Sequence, residues 1–338
     1  MSDRPLIKKI NGIPNFTSPF ISERDRIGRN LLADLLTRDL TLDYVLSQRS
    51  NFPIAACFNV HTYCNEACVM CPYEDVYAAN KNHKLMPIEN FKKILREFVD
   101  LGGRIATFNN FSDIFAHRLG VEYIKVILNE FKQIQLYLVT NGIGMLPRKI
   151  DEVFANGFDG IVYVSCHAFT PETFLKITKR NAFELVKSNI EYLASKHPHP
   201  ERIIIQYAVD YSSEQEIENA RMHWQSLGIT LNRFGTHTFA GNSNHREEKI
   251  KNGKLAGCAG WVTDAGQPFY QIVFQANGDV TLCCHDLLGS VVLGNALRDG
   301  VYNSWNSEEF KKLINDLYLG ASNDPNFICR KCSMAIIK

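Results

Sequence analysis

Neither sign of charge is in excess in this 338-residue chain: 37 Lys and Arg face 36 Asp and Glu, a formal net charge of +1. A chain that lives on nucleic acid or on an anionic membrane shows a basic excess or a Lys/Arg cluster, so neither is an expected partner. Long apolar runs are missing too; none reaches the roughly 18 uninterrupted residues of a spanning helix. The opening Met1-Ser2-Asp3-Arg4-Pro5 sets acid and base ahead of any apolar stretch, and a cytoplasmic protein is the expectation. Internal repeats and low-complexity tracts are absent, which leaves out solenoids and fibres. A hydrophobic share of 45% against 22% charged residues is ordinary for a globular chain, and the length suggests about two units of roughly 150 residues.

What the chain does have is ten cysteines. That is too few for a small disulfide scaffold, and in a reducing compartment clustered thiols bind metal or do redox work. Their placement follows from the organisation of the chain. Residues 1–50 lack strand signals, and Arg24 to Val45 carries helical apolar spacing at Ile27, Leu31, Leu32, Leu35 and Leu36, so a helical extension is expected. From Pro53 onward β-rich runs alternate with amphipathic stretches. Strands are expected at Ala55 to Val60, Arg104 to Asn109, Gln135 to Thr140, Gly160 to Cys166, Ile203 to Val209 and Ile229 to Thr236. Helices are expected at Ile88 to Leu101, Leu119 to Phe131, Pro147 to Ala155, Phe183 to Ser195 and Glu214 to Leu227.

Right-handed crossovers curl six such units into an open barrel whose functional groups lie at the strand C-terminal ends. The fold class is therefore α/β, a partial (β/α)6 barrel of the TIM type. After Thr236 the alternation fails, and a boundary is placed near Ala240. Beyond it are a hairpin (Tyr270 to Gln275, Val280 to Cys284 around Asn277-Gly278), a helix from Ser307 to Leu319 and a closing Cys329-Arg330-Lys331-Cys332. The expected division is 1–50 extension, 51–240 barrel and 241–338 cysteine-bearing annex.

Directly after the first strand the chain reads Cys64-Asn65-Glu66-Ala67-Cys68-Val69-Met70-Cys71, a C-x3-C-x2-C triplet. Three thiolates can hold three irons of a cubane and leave the fourth open, whereas an electron carrier supplies a thiolate to every iron. Zinc, or three core thiols, are the other readings of the same residues. The triplet, in its place after strand one of a six-unit βα barrel, resembles that of the radical S-adenosylmethionine (SAM) superfamily. The resemblance implies a [4Fe-4S] cluster on Cys64, Cys68 and Cys71 whose open iron chelates SAM. It also implies reductive cleavage of SAM to a 5′-deoxyadenosyl radical that abstracts hydrogen from a C–H bond. The protein binds, orients and excludes water, and the cofactor supplies the reactivity.

The annex is similar to the twitch form of the SPASM extension: Cys258, the G-x4-C hairpin Gly278 to Cys283, then Cys329 and Cys332. That likeness implies a second, auxiliary [4Fe-4S] cluster on Cys258, Cys283, Cys329 and Cys332; a zinc tetrad built on the same C-x2-C grammar is the alternative. The family's SAM contacts fall here on Asn110, Ser112 and Asp113 in the stretch Asn109 to Asp113, on Asn141 in Thr140-Asn141-Gly142, and on Ser165. They also fall on Arg180, a bidentate partner for a carboxylate, and on Met70, beside the adenine. Asn110 and Asp113 are equally readable as turn caps. Cys57 and Cys166 read as core thiols. Cys284, next to a cluster cysteine, is the candidate catalytic thiol, able to return a hydrogen atom to a substrate radical. His61, His167, His237 and His285 fall near strand ends or the annex.

Together these imply a radical SAM enzyme acting on a polar small molecule, namely a sugar, aminocyclitol or nucleoside sugar, in natural-product biosynthesis. The annex is most similar to that of the aminocyclitol dehydrogenase group. Oxidation needs the second cluster as acceptor, whereas epimerisation needs a donor such as Cys284; decarboxylation is the third outcome. A flavodoxin- or ferredoxin-type reductant is the implied partner. Two other readings stand beside this one, a maturase of a ribosomal peptide and a noncatalytic zinc module.

Overall fold

Short apolar runs separated by amphipathic stretches have one economical solution, a parallel sheet covered by helices. The computed structural model describes residues 31–72, 75, 84–108, 112–243, 252–258 and 266–338. Two short helices come first, α1 (Leu31–Thr37) and α2 (Leu42–Ser47), the second capped by the Thr41 hydroxyl, which accepts from Tyr44 N–H. The expected extension is thus helical in its described part, and residues 1–30 lie outside the described residues. Both helices pack on the C-terminal annex, α1 beside Leu255–Cys258 and α2 beside Glu308–Tyr318.

Strands β1 (Ala55–Phe58), β2 (Ile105–Phe108), β3 (Gln135–Thr140), β4 (Ile161–Val164), β5 (Ile203–Ala208) and β6 (Thr230–Phe234) pair in chain order, all parallel. Each lies where the sequence indicates, several ending earlier. The residues past each ladder, such as Asn59-Val60 and Ser165-Cys166, turn off to form the loops that carry chemistry. Between the strands run α3 (Ile88–Asp100), α4 (Gly120–Glu130), α5 (Pro147–Ala155), α6 (Pro171–Thr178), α7 (Phe183–Lys196) and α8 (Glu214–Ser226). Helix α6 is not among those expected from apolar spacing. Local chemistry builds it: the Thr170 hydroxyl accepts from Thr173 N–H, Pro171 takes the first helical position, and Lys179 ends it in a left-handed conformation with φ 60°.

The annex contributes β7 (Leu255–Cys258), β8 (Gln271–Phe274), β9 (Asp279–Thr281), β10 (Val292–Asn295), helices α9 (Val301–Trp305) and α10 (Glu308–Tyr318), and β11 (Ala335–Ile337). The hairpin is present, but it is not confined to the annex. Strand β8 pairs parallel with β1, and one nine-stranded sheet runs β10-β9-β8-β1-β2-β3-β4-β5-β6. The physical reason lies in β1, where all four residues are buried, so its backbone groups need partners on both edges. The junction is packed with rings. Phe58 lies 5.0 Å from Phe91 and 5.0 Å from Phe274, and Phe91 lies 5.3 Å from Tyr123. Burying each Phe contributes about 1.5–3 kcal/mol, so Phe58→Ala costs about 3–5 kcal/mol.

Candidate metal and cofactor site

The triplet loop leaves the C-terminal end of β1 and is pinned by backbone bonds to the end of α6. Ala67 N–H donates to the Thr178 carbonyl at 3.2 Å and Val69 N–H to the Ile177 carbonyl at 2.8 Å, while Cys71 N–H closes a turn on the Cys68 carbonyl at 2.9 Å. Asn65 is the hub. Its carbonyl accepts from Arg180 Nε at 2.8 Å and its Oδ1 from Asn141 Nδ2 at 2.6 Å; the same Asn141 nitrogen stands 3.7 Å from Cys64 Sγ. Arg180 and Asn141, singled out from sequence, therefore meet on the triplet through a residue the sequence did not single out.

Asp113 is buried with all its capacity engaged. Its Oδ1 accepts from Phe115 and Ala116 N–H at 2.9 and 3.1 Å, and its Oδ2 from Thr140 Oγ1 at 2.8 Å and Asn141 N–H at 2.5 Å. Burial nonetheless holds its carboxyl above the ordinary value. The carboxylate thus ties the loop after β2 to the loop after β3. Ser112 donates to Asn59 Oδ1 at 2.8 Å, and Asn59 donates to Gln275 Oε1 at 2.7 Å, linking β2, β1 and β8. Ser165 stands at the end of β4, its N–H on the Thr140 carbonyl at 2.7 Å, and Met70 is buried beside the triplet. Asn110 lies outside the described residues.

Glu66, inside the triplet, was passed over in the sequence although it sits between two candidate ligands. It is buried, accepts from Cys68 Sγ at 3.0 Å, and burial pushes its carboxyl up to about 8. Burial also pushes the Cys64 and Cys68 thiols up, with neighbouring charge adding to it.

The annex assembles a second set from three distant stretches. Strands β7 and β11 pair antiparallel with Cys258 opposite Ala335, which brings Cys258 beside the closing C-x2-C. The end of β9 delivers Cys283. Cys258, Cys283, Cys329 and Cys332 all line one cavity, together with Ala240, Gln267 and His285. Cys284 is not among its lining residues; its thiol faces the Gln267 amide, with Nε2 3.0 Å from Sγ. Burial raises the Cys284 thiol to about 11, and raises those of Cys283 and Cys329 further, where adjacent thiols add repulsion. Cys57 and Cys166 are fully buried, as core thiols should be.

Two small bridges join the cysteine sets. Buried Leu287 packs against both Cys71 and Phe239. From there a row of rings runs Phe239, His285, His237, Phe234, His167, with successive centroids 5.9, 5.1, 6.0 and 5.8 Å apart. Burial drops His167 to about 4 and His285 to about 3, so both are neutral. His61 packs elsewhere, 4.9 Å from the His117 ring.

The donor chemistry fits iron–sulfur clusters. Thiols crowded in a desolvated site ionise only against positive charge, which ferric and ferrous iron supply. A tetrahedral zinc site closes on one point, with Zn–S about 2.3 Å. Among the described residues no three His, Cys, Asp or Glu side chains close on a single ion, and the four annex cysteines instead face across a cavity.

A family model described as Radical SAM superfamily matches residues 58–221, and one described as an iron–sulfur cluster-binding domain, SPASM, matches residues 266–333. No curated protein matches the chain in sequence. Streptococcus suis SuiB bound to precursor peptide SuiA is similar with a TM-score of 0.65 at 12% identity, over 98% of this chain and 77% of that one. BtrN in complex with AdoMet and 2-DOIA is similar with a TM-score of 0.53 at 13% identity, over 83% and 93%. Native anSMEcpe with bound AdoMet and the Cp18Cys peptide gives 0.56 at 13% identity, over 83% and 86%. At these identities the likeness is one of fold. The matches set aside the noncatalytic zinc module. The chain is a radical SAM enzyme, with a radical SAM domain that binds a [4Fe-4S] cluster and SAM, followed by a SPASM domain for auxiliary iron–sulfur binding.

Proposed function

We propose that this enzyme abstracts hydrogen from a polar small molecule, a sugar, aminocyclitol or nucleoside sugar, leading to oxidation, epimerisation or decarboxylation in natural-product biosynthesis. Cys64, Cys68 and Cys71 hold the first cluster, and Cys258, Cys283, Cys329 and Cys332 one auxiliary cluster. When bound, the reduced cluster and SAM supply a 5′-deoxyadenosyl radical. The observation that carries the reading is the convergence of four annex cysteines on one cavity, bridged to the triplet by Leu287 and Phe239.

The chain's own residues orient and shield. Asn141 and Arg180 hold the triplet loop through Asn65. Ser165, Ser112 and Met70 stand ready for SAM at the strand ends, and Asp113 fixes Asn141 for the same task. Cys284 keeps a protonated thiol, able to give a hydrogen atom to a substrate radical where the product is an epimer. A flavodoxin- or ferredoxin-type protein serves as reductant, and the cytoplasm as compartment; among the described residues no helix is long and apolar enough to cross a membrane. The working division remains 1–50, 51–240 and 241–338.

Anaerobic purification with iron and sulfide counts, followed by a SAM-cleavage assay, tests the assignment. About eight irons per chain and 5′-deoxyadenosine formation are expected, with about four irons when Cys329 and Cys332 are both changed to Ala. Zinc in place of iron overturns it. The likeness to SuiB bound to a precursor peptide favours a second reading, a peptide maturase; a short precursor gene beside this one, and its peptide as substrate, would decide for it.

A further inference from the structure

Three consecutive residues in the turn that follows β6, separated from its end by four residues, are left-handed: Phe239 at φ 45°, Ala240 at 56° and Gly241 at 84°. Glycine takes that conformation freely, but an L-residue with a bulky side chain gives up about 1–2 kcal/mol. A turn needing only to reverse the chain would place Gly or Asn there. This one is held from outside. Ser333 N–H donates to Thr238 Oγ1 at 2.9 Å, tying the turn to the closing C-x2-C, and Gly241 and Ser243 N–H both return to the Thr238 carbonyl.

The strained backbone sends the Phe239 ring to Leu287, which also touches Cys71, and to within 5.9 Å of the His285 ring at the annex cavity. The ring is only half-buried, as are His237 and Phe234 beside it, whereas Leu287 and His285 behind them are buried. A ring that only fills a core is buried; Phe239 is half-buried while standing between Leu287, which touches Cys71, and His285 at the annex cavity. Backbone strain of this kind persists where the surroundings over-determine it, and functional sites are where it clusters.

We propose that Phe239 is a specificity-determining residue of the hydrogen-abstraction site, offering its ring to the C–H face of an uncharged, hydroxylated ring, with His237 beside it for a hydroxyl. The inference rests on the reading under Proposed function and narrows its substrate class. Aromatic faces suit the apolar faces of saturated rings. The row Phe234, His237, Phe239 carries no carboxylate or ammonium. Among the described carboxylates, Asp286, between His285 and Leu287, is buried and accepts from Ser290 and Val291 N–H, each at 2.9 Å, and Asp210 after β5 is exposed and accepts from Thr236 N–H through Oδ2 at 2.5 Å.

The test uses reduced, two-cluster enzyme with SAM and three ring probes: myo-inositol (uncharged), glucosamine (cationic) and glucuronate (anionic). The readout is 5′-deoxyadenosine formed above the probe-free rate. A saturable response to myo-inositol is expected, with Phe239→Leu raising its KM about tenfold and leaving kcat within about twofold. Phe239→Asn, comfortable in the left-handed region, should melt no lower than wild type and show the same KM loss. A response only to charged probes, no response to any probe, or unchanged KM in both variants overturns the proposal. The probe-free rate separately reports whether the cluster reading stands.

Discussion

Asn141 Nδ2 donates to Asn65 Oδ1 at 2.6 Å while standing 3.7 Å from Cys64 Sγ, so one amide from the end of β3 both steadies the triplet loop and faces its first sulfur. The side chain also accepts from Ile143 N–H at 3.0 Å through Oδ1, and removing both bonds costs about 1–3 kcal/mol, which leaves the fold intact. Positioning suffers more, because small misplacements at a reacting centre cost orders of magnitude in rate. Asn141→Ala is expected to melt within a few degrees of wild type, keep its iron, and form 5′-deoxyadenosine about tenfold more slowly.

Asp113 behaves differently, because its four donors come from two loops and the residue is buried. In Asp113→Asn one oxygen becomes an NH2 group facing donors, so two of the four bonds are lost and the donors are left unsatisfied. The expected loss is about 2–4 kcal/mol, a fall in Tm of several degrees by thermal melt. Asn141 should shift with it, so SAM cleavage falls as well. Full activity with an unchanged melt would show that the carboxylate is not the tie between these loops.

Much of this was legible before the structure, for reasons tied to particular residues. The six parallel strands announce themselves as apolar runs, and Cys64, Cys68 and Cys71 are local in sequence, so their meeting needs no long-range knowledge. The four annex cysteines could be named as a set, but what gathers them could not. Cys258 reaches the closing C-x2-C through the β7–β11 pairing, a contact between segments far apart in the chain. The same limit hid β8 beside β1: a hairpin signal says which strands turn back on each other, not which free edge they then join. Helix α6 was missed because its order comes from a cap and a proline rather than from apolar spacing. Asn65 gave no signal, since its role is to accept from Asn141 and Arg180, residues distant in the chain, and Phe239 stands out in the sequence only as a departure from the family's Arg before Ala-Gly-Asn, not for its strained turn.

Cys284 tests how a substrate radical ends. Its thiol faces Gln267 and does not line the annex cavity, so Cys284→Ala should leave iron near the wild-type count of about eight. If the reaction ends by hydrogen return, turnover falls at least tenfold and a product carrying solvent deuterium disappears. Full turnover in the variant removes the hydrogen-donor role and leaves oxidation or decarboxylation.

His167 gives the fold a pH dependence. Its Nδ1 accepts from Ala208 N–H at 3.3 Å, which only the neutral ring can do, and burial holds it at about 4 against an ordinary 6.5. A depressed value means that the unfolded chain binds the proton more readily. The stability from this group is therefore complete above about pH 6.5 and lost as pH falls from there towards 4. At pH 5 the loss is about 2 kcal/mol. Buried His197 shifts in the same direction, so the comparison must be made by variant. His167→Gln should flatten the fall in Tm between pH 7 and pH 5; an equally steep fall assigns the dependence to other groups.

Gly266 offers the sharpest test of the second cysteine set. It is left-handed at φ 79°, and a Cβ there would lie 2.8 Å from Cys258 Cβ and 3.1 Å from its Sγ. Real Cβ atoms do not approach a neighbour's Cβ so closely, so Gly266→Ala must push Cys258 away from Cys283, Cys329 and Cys332 or twist its own backbone. The barrel and the triplet are untouched. The expected protein is folded, carries about four irons in place of about eight, and still cleaves SAM without substrate, while substrate turnover drops. An iron count that stays at the wild-type value would show that Cys258 is not a ligand and that the auxiliary cluster draws its fourth donor from another residue.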